Sequence, residues 1–402
     1  MRVAVVGSGI QGLCVALELA RRGVEVHVFD RDAEPMARAS RHNEGKLHLG
    51  YVYANDATFT TARLMGRAAL HFAPTLRELG VDLSRVVRSD PFLYAVHRRS
   101  LLTPDALAVR YAAISRHVAR CAAEPGADYF GVRVPQFVRR LPDAEWKRHI
   151  SDEHVAGAFE TAEIAVDPHR LADAVVGRVR RDPNIVLRLG LAVAGANVGP
   201  SAVGLVLEDG RVERFERVVN CGWCGRLALD ATAGLPPPPA WSFRRKHYLR
   251  LPPAADTARL PPTTIVLGGF GDVVRYQSGH LFVSWYPVAC TGLETGLRPS
   301  PEPMIDRNAL RVAMLRGAAD IVPALAHLDR RLVASAELGS GVIYALGRTD
   351  VNDPASRLHR RAEIGPQSVG RYHTVDTGKL TTAPHFARQL ANELFARRRA
   401  AS

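Results

Sequence analysis

The stretch Arg2–Asp32, RVAVVGSGIQGLCVALELARRGVEVHVFDRD, constrains the chain more than any other segment. Val3 to Val6 is a short apolar run suited to a strand buried on both faces. Gly7, Gly9 and Gly12 follow at G-x-G-x-x-G spacing where a helix must start. Each glycine answers a separate steric demand: Gly7 makes the turn, Gly9 lets the backbone approach a pyrophosphate at the helix N-terminus, and Gly12 lets the helix pack on the strand. Leu13, Ala16, Leu17 and Ala20 supply the buried helix face, Gly23 ends it, and Val24 to Phe29 reads as the next strand. Asp30 closes that strand, where a carboxylate accepts hydrogen bonds from a ribose 2′-hydroxyl and repels a 2′-phosphate. The segment predicts a dinucleotide cradle, and its strand, turn, helix and acid together weigh against a tight turn that binds nothing.

A chain of 402 residues exceeds one compact core, so two interleaved domains are expected. With 47% hydrophobic and 23% charged residues the composition is that of a globular enzyme, and no apolar run reaches the roughly 18 residues of a membrane span. The first strand opens at residue 2, which leaves no room for a signal or transit sequence and sets the cytoplasm as the expected location. Cys14, Cys121, Cys221, Cys224 and Cys290 form no disulfide framework; Cys221 and Cys224 stand at C-x-x-C spacing, where a redox disulfide is the alternative, but without a second metal-type pair they read first as turn thiols, and no metal site is expected. The net charge of +13 is scattered rather than blocked, which argues against a nucleic-acid partner. Only four of 53 basic residues are lysine: Lys46, Lys147, Lys246 and Lys379. A compact ammonium whose pKa can move suits a site, so these lysines mark positions to watch.

Ser40 to Asn55, SRHNEGKLHLGYVYAN, reads as a polar loop entering a strand, and Thr58 to Gly80 as a helix. Pro91 to Tyr94 predicts a strand. Asp167-Pro168 opens an amphipathic helix to Val179. Strands follow at Ile185–Leu189, Val203–Leu207 and Arg214–Val219, and VVNCGWCG, Val218 to Gly225, empties a buried strand into a glycine turn. After the linker PPPPAW, alternating strands predict an antiparallel sheet to about Val333; Gly271-Asp272 runs into a strand and is not the helix-opening pair of flavin hydroxylases. Asn308–Ile321 predicts a helix. His373 to Phe395 reads as strand, glycine turn and a final helix capped by Thr382, with Pro384 in its first turn.

The cradle with Asp30, the SRHNEGKLHLGYVY loop, Asn220 to Gly225 and the terminal TGKLTT together resemble the D-amino acid oxidase superfamily of FAD-dependent oxidoreductases. Ser356-Arg357, His359 and Gly378 to Thr382 are most similar to the glycerol-3-phosphate dehydrogenase branch, and the Lys46 to Gly50 loop to the 2-hydroxyglutarate oxidases. Where that second branch carries a glycine near the start of the first antiparallel strand, this chain has Lys246. The resemblance implies an α/β fold in which a Rossmann-like FAD-binding domain (1–80, 155–232 and 335–402) is interleaved with an antiparallel-sheet substrate domain (81–154 and 233–334). It implies cofactor contacts from Gly7, Gly9, Ile10, Gln11, Gly12, Asp30, Arg31, Ser40, Asn43, Lys46, Leu47, Gly222, Gly378, Lys379, Leu380, Thr381 and Thr382.

The activity so implied is removal of hydride from a C–H beside an amine or hydroxyl of a small anionic substrate, of the amino acid or 2-hydroxy acid type, with O2 or another acceptor reoxidising the flavin. Lys379 and the helix start at Thr382 are expected to stabilise negative charge on the reduced flavin. His48 is the expected general base, with a covalent flavin tether and a structural histidine as its alternatives. Arg348 is expected to take the substrate's anionic group, with Arg275, Tyr276 and Tyr286 completing the wall and Lys246 assisting oxygen. Two other readings are an RNA-acting or nucleic-acid-binding flavoprotein, and an NAD-dependent reductase; the absence of a second glycine cradle stands against the latter.

Overall fold

The computed structural model describes residues 1–135 and 138–399. Its first sheet has the strand order Gly365–Val369, Tyr372–Asp376, Arg217–Asn220, Arg2–Val6, Glu25–Phe29, Ile185–Arg188. All neighbours are parallel except the first pair, an antiparallel hairpin. Val3, Val5, Val26 and Val28 are wholly buried, as a sheet covered on both faces requires. The helix Ile10–Ala20 lies against this sheet and is itself covered by the final helix, Ala383–Arg399. Glu18 fixes that contact. Its fully buried carboxylate accepts from Arg388 Nε at 2.9 Å and from Arg21 Nε at 2.7 Å, so the charge buried under the helix is matched from both chain ends.

A second, nine-stranded sheet runs through Cys290–Glu294, Trp241–Leu251, Leu281–Trp285, Gly271–Arg275, Thr263–Val266, Leu93–His97, Val155–Glu160 and Arg139–Arg140, with Glu337–Leu346 also on Trp241–Leu251. It is antiparallel save for the pair Thr263–Val266 and Leu93–His97. Two of its strands depart from the expected division of the chain. Val155–Glu160 pairs with Leu93–His97, and Glu337–Leu346 pairs along ten residues with Trp241–Leu251, so both lie in the antiparallel sheet and not with the parallel one. A three-stranded sheet, Val193–Val198, Val203–Leu207 and Val212–Phe215, completes the parallel half.

Two predicted elements are split. The helix over 58–80 becomes Thr60–Leu70 and Phe72–Glu78, because Pro74 has no N–H and its ring would meet the carbonyl of Leu70. The strand over 214–219 breaks at Glu216, whose carboxylate accepts from the Arg2 backbone N–H at 2.9 Å; Val212–Phe215 stays in the small sheet while Arg217–Asn220 pairs with Arg2–Val6. A two-stranded ladder, Lys46–Leu47 against Ile164–Ala165, then pins the Ser40–Asn55 loop between the two large sheets.

Gly12 packs the first helix closely on its strand: a Cβ there would lie 1.8 Å from the Gly7 carbonyl oxygen. Gly12→Ala is therefore expected to destabilise the apoprotein by about 1–3 kcal/mol, read as a lower midpoint in chemical denaturation. An unchanged midpoint would show that the turn relaxes without cost.

Candidate active site

The carboxyl ends of the parallel strands open into a cavity of about 520 Å³. That edge of an open α/β sheet, where the strand order reverses, is where ligands bind. Its lining includes Gly7, Gly9, Ile10, Gln11, Asp30, Arg31, Ser40, Asn43, Gly222, Gly378, Lys379 and Leu380. Gly7 holds φ at +100°, and a Cβ on it would come 2.6 Å from the Cys221 carbonyl oxygen, so the turn admits no side chain. Ser40 Oγ accepts from the Ile10 N–H at 2.9 Å, which ties the polar loop to the helix start. Asp30 Oδ2 accepts from the Ser8 N–H and Oγ, both at 2.7 Å, and the carboxylate is thereby held at the cavity wall. Gln11 is buried, yet its side-chain amide nitrogen and oxygen make no hydrogen bond among the described residues. A buried amide facing a cavity with both ends unsatisfied is a ligand contact awaiting its ligand.

A second cavity of about 130 Å³ opens off the first; Glu44, Lys46, His48, Lys246, Tyr286, Arg361 and Lys379 line both. Three of the four lysines thus meet at the junction, while Lys147 sits on the surface beside Asp143 and Asp152. Lys46 Nζ donates to Asp272 Oδ1 at 2.7 Å and to Thr264 Oγ1, and lies 4.3 Å from the Phe92 ring centre. Lys246 Nζ stands 3.8 Å from Asp272, 4.0 Å from Glu44 and 4.5 Å from the Tyr286 ring centre. Burial alone would raise both carboxyls; the lysines outweigh it, holding Glu44 down to about 2 and Asp272 well below the ordinary range. Lys246 is pushed up, because Tyr286, Glu44 and Asp272 outweigh its desolvation. Lys379 goes the other way, to about 8, through burial and the charges of Arg361 and Lys246.

His48 is buried at the same junction, 5.9 Å ring to ring from Tyr53. Its Nδ1 lies 3.3 Å from Glu163 Oε1. The fully buried Glu163 also accepts from the Leu49 N–H at 2.7 Å and from the Tyr94 hydroxyl, so its position is set from three sides. A carboxylate only accepts, so the ring proton belongs on Nδ1; Nε2 makes no hydrogen bond among the described residues. Desolvation lowers the His48 pKa, the Lys379 and Lys46 charges lower it further, and Glu163 only partly offsets them. The imidazole is neutral near pH 7, with Nε2 as its basic atom.

Several expected contacts lie elsewhere. Arg348 is exposed and lines neither cavity, because Gly347, at φ +102°, turns the chain out of its strand into a surface loop. Arg275 also lines neither cavity. Tyr276 is buried, and its hydroxyl donates to the Glu44 carbonyl at 2.9 Å; it holds the loop and does not reach a cavity. Leu47 is core, its carbonyl taken by the Tyr129 hydroxyl. Gly12 serves helix packing alone. Thr381 Oγ1 accepts from the His48 N–H at 3.0 Å, joining the tail to the loop behind the cavity wall, and Thr382 Oγ1 donates to the Thr377 and Lys379 carbonyls, so it locks the turn where a helix cap was expected. The residues that sequence reasoning missed are Glu44, Tyr53, Glu163, Arg244, Asp272 and Arg361. An acid among apolar neighbours, Ala162 and Ile164 to Val166, was an available signal for Glu163; Glu44 and Asp272 are tied to the site by lysines distant in sequence, and Tyr53, Arg244 and Arg361 are brought to it by the fold alone.

A family model described as FAD dependent oxidoreductase matches residues 2–392. The chain belongs to this FAD dependent oxidoreductase family. Its fold is similar to that of iminodiacetate oxidase from Chelativorans sp. BNC1, with a TM-score of 0.68 and 18% identity over 98% of this chain and 95% of that one. It is likewise similar to the dithionite-reduced, FAD-bound L-α-glycerophosphate oxidase of Mycoplasma pneumoniae, with a TM-score of 0.65 and 14% identity over 97% and 94%. Kynurenine 3-monooxygenase of Salinispora tropica is 30% identical over 128 residues, which are 32% of this chain and 27% of that protein. The alignment thus spans about a quarter of the length of that curated relative. The family's cofactor is FAD, and the unsatisfied Gln11, the side-chain-free turn at Gly7 and the volume of the first cavity, about 520 Å³, fit it. No helix among the described residues is long and apolar enough to cross a membrane.

Lys379 titrates near 8 in the folded chain and near 10.5 unfolded, so between those values the unfolded state binds the extra proton and apoprotein stability rises with pH. Lys379→Met is expected to remove that rise and to stabilise the apoprotein at pH 7. Urea titrations at pH 7 and pH 10 check this; a variant with the wild-type pH slope would place the lysine's charge at no cost.

Proposed function

We propose that this family member removes hydride from the C–H beside the amine or hydroxyl of a small anionic substrate of the amino acid or 2-hydroxy acid type, with His48 as general base. The observation that carries the reading is the buried His48–Glu163 pair at the mouth of the second cavity, with Nε2 left unpaired. Gly7, Gly9, Gln11, Asp30 and the Gly378 to Leu380 turn would hold the cofactor along the first cavity. FAD, when bound, supplies the hydride acceptor.

The protein's own groups do the rest. The substrate sits in the second cavity, and His48 Nε2 takes its N–H or O–H proton. Glu163 keeps Nδ1 protonated and stabilises the imidazolium that results, as a buried carboxylate behind a histidine does. Lys379 is the cation we assign to negative charge developing on the reduced cofactor, and Lys246 the one we assign to assisting the electron acceptor, O2 in the simplest case. The scattered positive charge gives no support to a nucleic-acid role.

Two measurements test this. Purified protein is expected to show oxidised-flavin absorption, and the colour is expected to leave with the supernatant after acid precipitation; colour in the pellet would make His48 a tether and end its role as base. In stopped-flow reduction, His48→Ala is expected to retain FAD while slowing the reductive step by about 10²–10⁴-fold. Reduction at the wild-type rate would remove His48 from the chemistry.

A further inference from the structure

We propose that the second cavity is a subsite for substrates carrying two acidic groups, received by the guanidiniums of Arg244 and Arg361 and by the Tyr53 hydroxyl. The proposal rests on the functional reading above for the word substrate; the subsite itself stands on charges that the fold leaves unanswered.

Five cationic side chains line this cavity against two carboxylates. Lys46 is answered by Asp272 at 2.7 Å, and Lys246 lies within 4.0 Å of both Asp272 and Glu44. Arg244, Arg361 and Lys379 have no carboxylate within 4.0 Å among the described residues. Arg244 and Arg361 are 4% and 8% exposed. A buried guanidinium without a counter-charge is unfavourable unless a ligand supplies one.

Two further atoms point the same way. Arg244 Nε and Tyr53 Oη are buried and make no hydrogen bond among the described residues. Arg244 and Tyr53 line the second cavity and not the first, so neither is waiting for the nucleotide. The pattern also limits the ligand. A zwitterionic monocarboxylate brings no net charge and leaves the positive excess standing, whereas two acidic groups give each guanidinium a partner. Guanidinium and carboxylate match in shape as well as charge, since the planar fork presents paired N–H donors to two oxygens.

The test is equilibrium binding to the flavin-loaded protein, read from the flavin absorption, with malonate and succinate against acetate and propionate. The dicarboxylates are expected to bind at least tenfold tighter, and Arg244→Met is expected to weaken malonate binding tenfold or more. Lys147→Met, which removes a surface charge, controls for net charge. Equal affinity for acetate and malonate in the wild type would overturn the proposal, as would undiminished malonate binding by Arg244→Met. The wild-type comparison needs no variant and decides the matter if Arg244→Met does not fold. Reduction of the flavin by a monocarboxylic amino acid, with no preference for malonate, would leave the oxidoreductase reading standing and overturn the diacid subsite. If no flavin is held, the reading of function fails, and thermal stabilisation of the apoprotein by malonate over acetate still decides the subsite.

Discussion

The ion pair between Lys46 and Asp272 is the interaction on which the rest of the site depends. Lys46 belongs to the loop that follows the dinucleotide cradle, and Asp272 to a strand of the antiparallel sheet, so a single 2.7 Å contact spans the two halves of the protein. Both groups are buried, and in that setting loss of one partner strands the other's charge, which makes the contact obligatory rather than decorative. Around it the neighbouring charges fall into order. Lys246 shares Asp272 from the far side, Glu44 answers Lys246, and Thr264 takes a second donor of Lys46. The junction is a small ionic lattice from which a few cations are left over to face a ligand.

What the sequence disclosed followed the range of the interactions involved. The cradle from Arg2 to Asp30 was legible because every demand in it is local: a buried strand, a turn without side chains, a helix and an acid within a few turns of one another. The Asp167-Pro168 helix start was legible for the same reason, and the Asp167 side chain does accept from the His169 N–H at 3.0 Å. Lysine scarcity carried information too, since three of the four lysines stand at the junction of the cavities. Arg348 was misplaced because a motif match fixes order along the chain and not the direction in which a strand ends; one glycine at φ +102° turned it outward.

The residues that were not legible share a physical cause. Asp272 was set aside with its glycine neighbour because the pair enters a strand, which is correct, yet its role comes from a lysine distant in sequence. Arg244 sits in a run of three basic residues, and only the pleat tells them apart: Arg244 lines the second cavity, while Arg245 lines the first, where it donates to Glu302. Arg361 lies in a loop without pattern. Side chains whose meaning is a partner across a domain boundary leave no period and no spacing, and the three-dimensional structure is the first place where they can be recognised.

The strand order of the parallel sheet has a consequence for the life of the chain in the cell. Its central neighbours come from the beginning, the middle and the end of the sequence, and the His48 N–H is held by Thr381 from the last turn before the final helix. While the chain is being synthesised, the cradle emerges early but lacks the strands beside Arg217–Asn220 and the turn that completes the wall of the cavity. Folding units assemble as they leave the ribosome, N-terminal first. Here the sheet edge at Arg217–Asn220 stays open until Tyr372–Asp376 has been made, and the turn from Thr377 to Leu380 that lines the cavity is made later still.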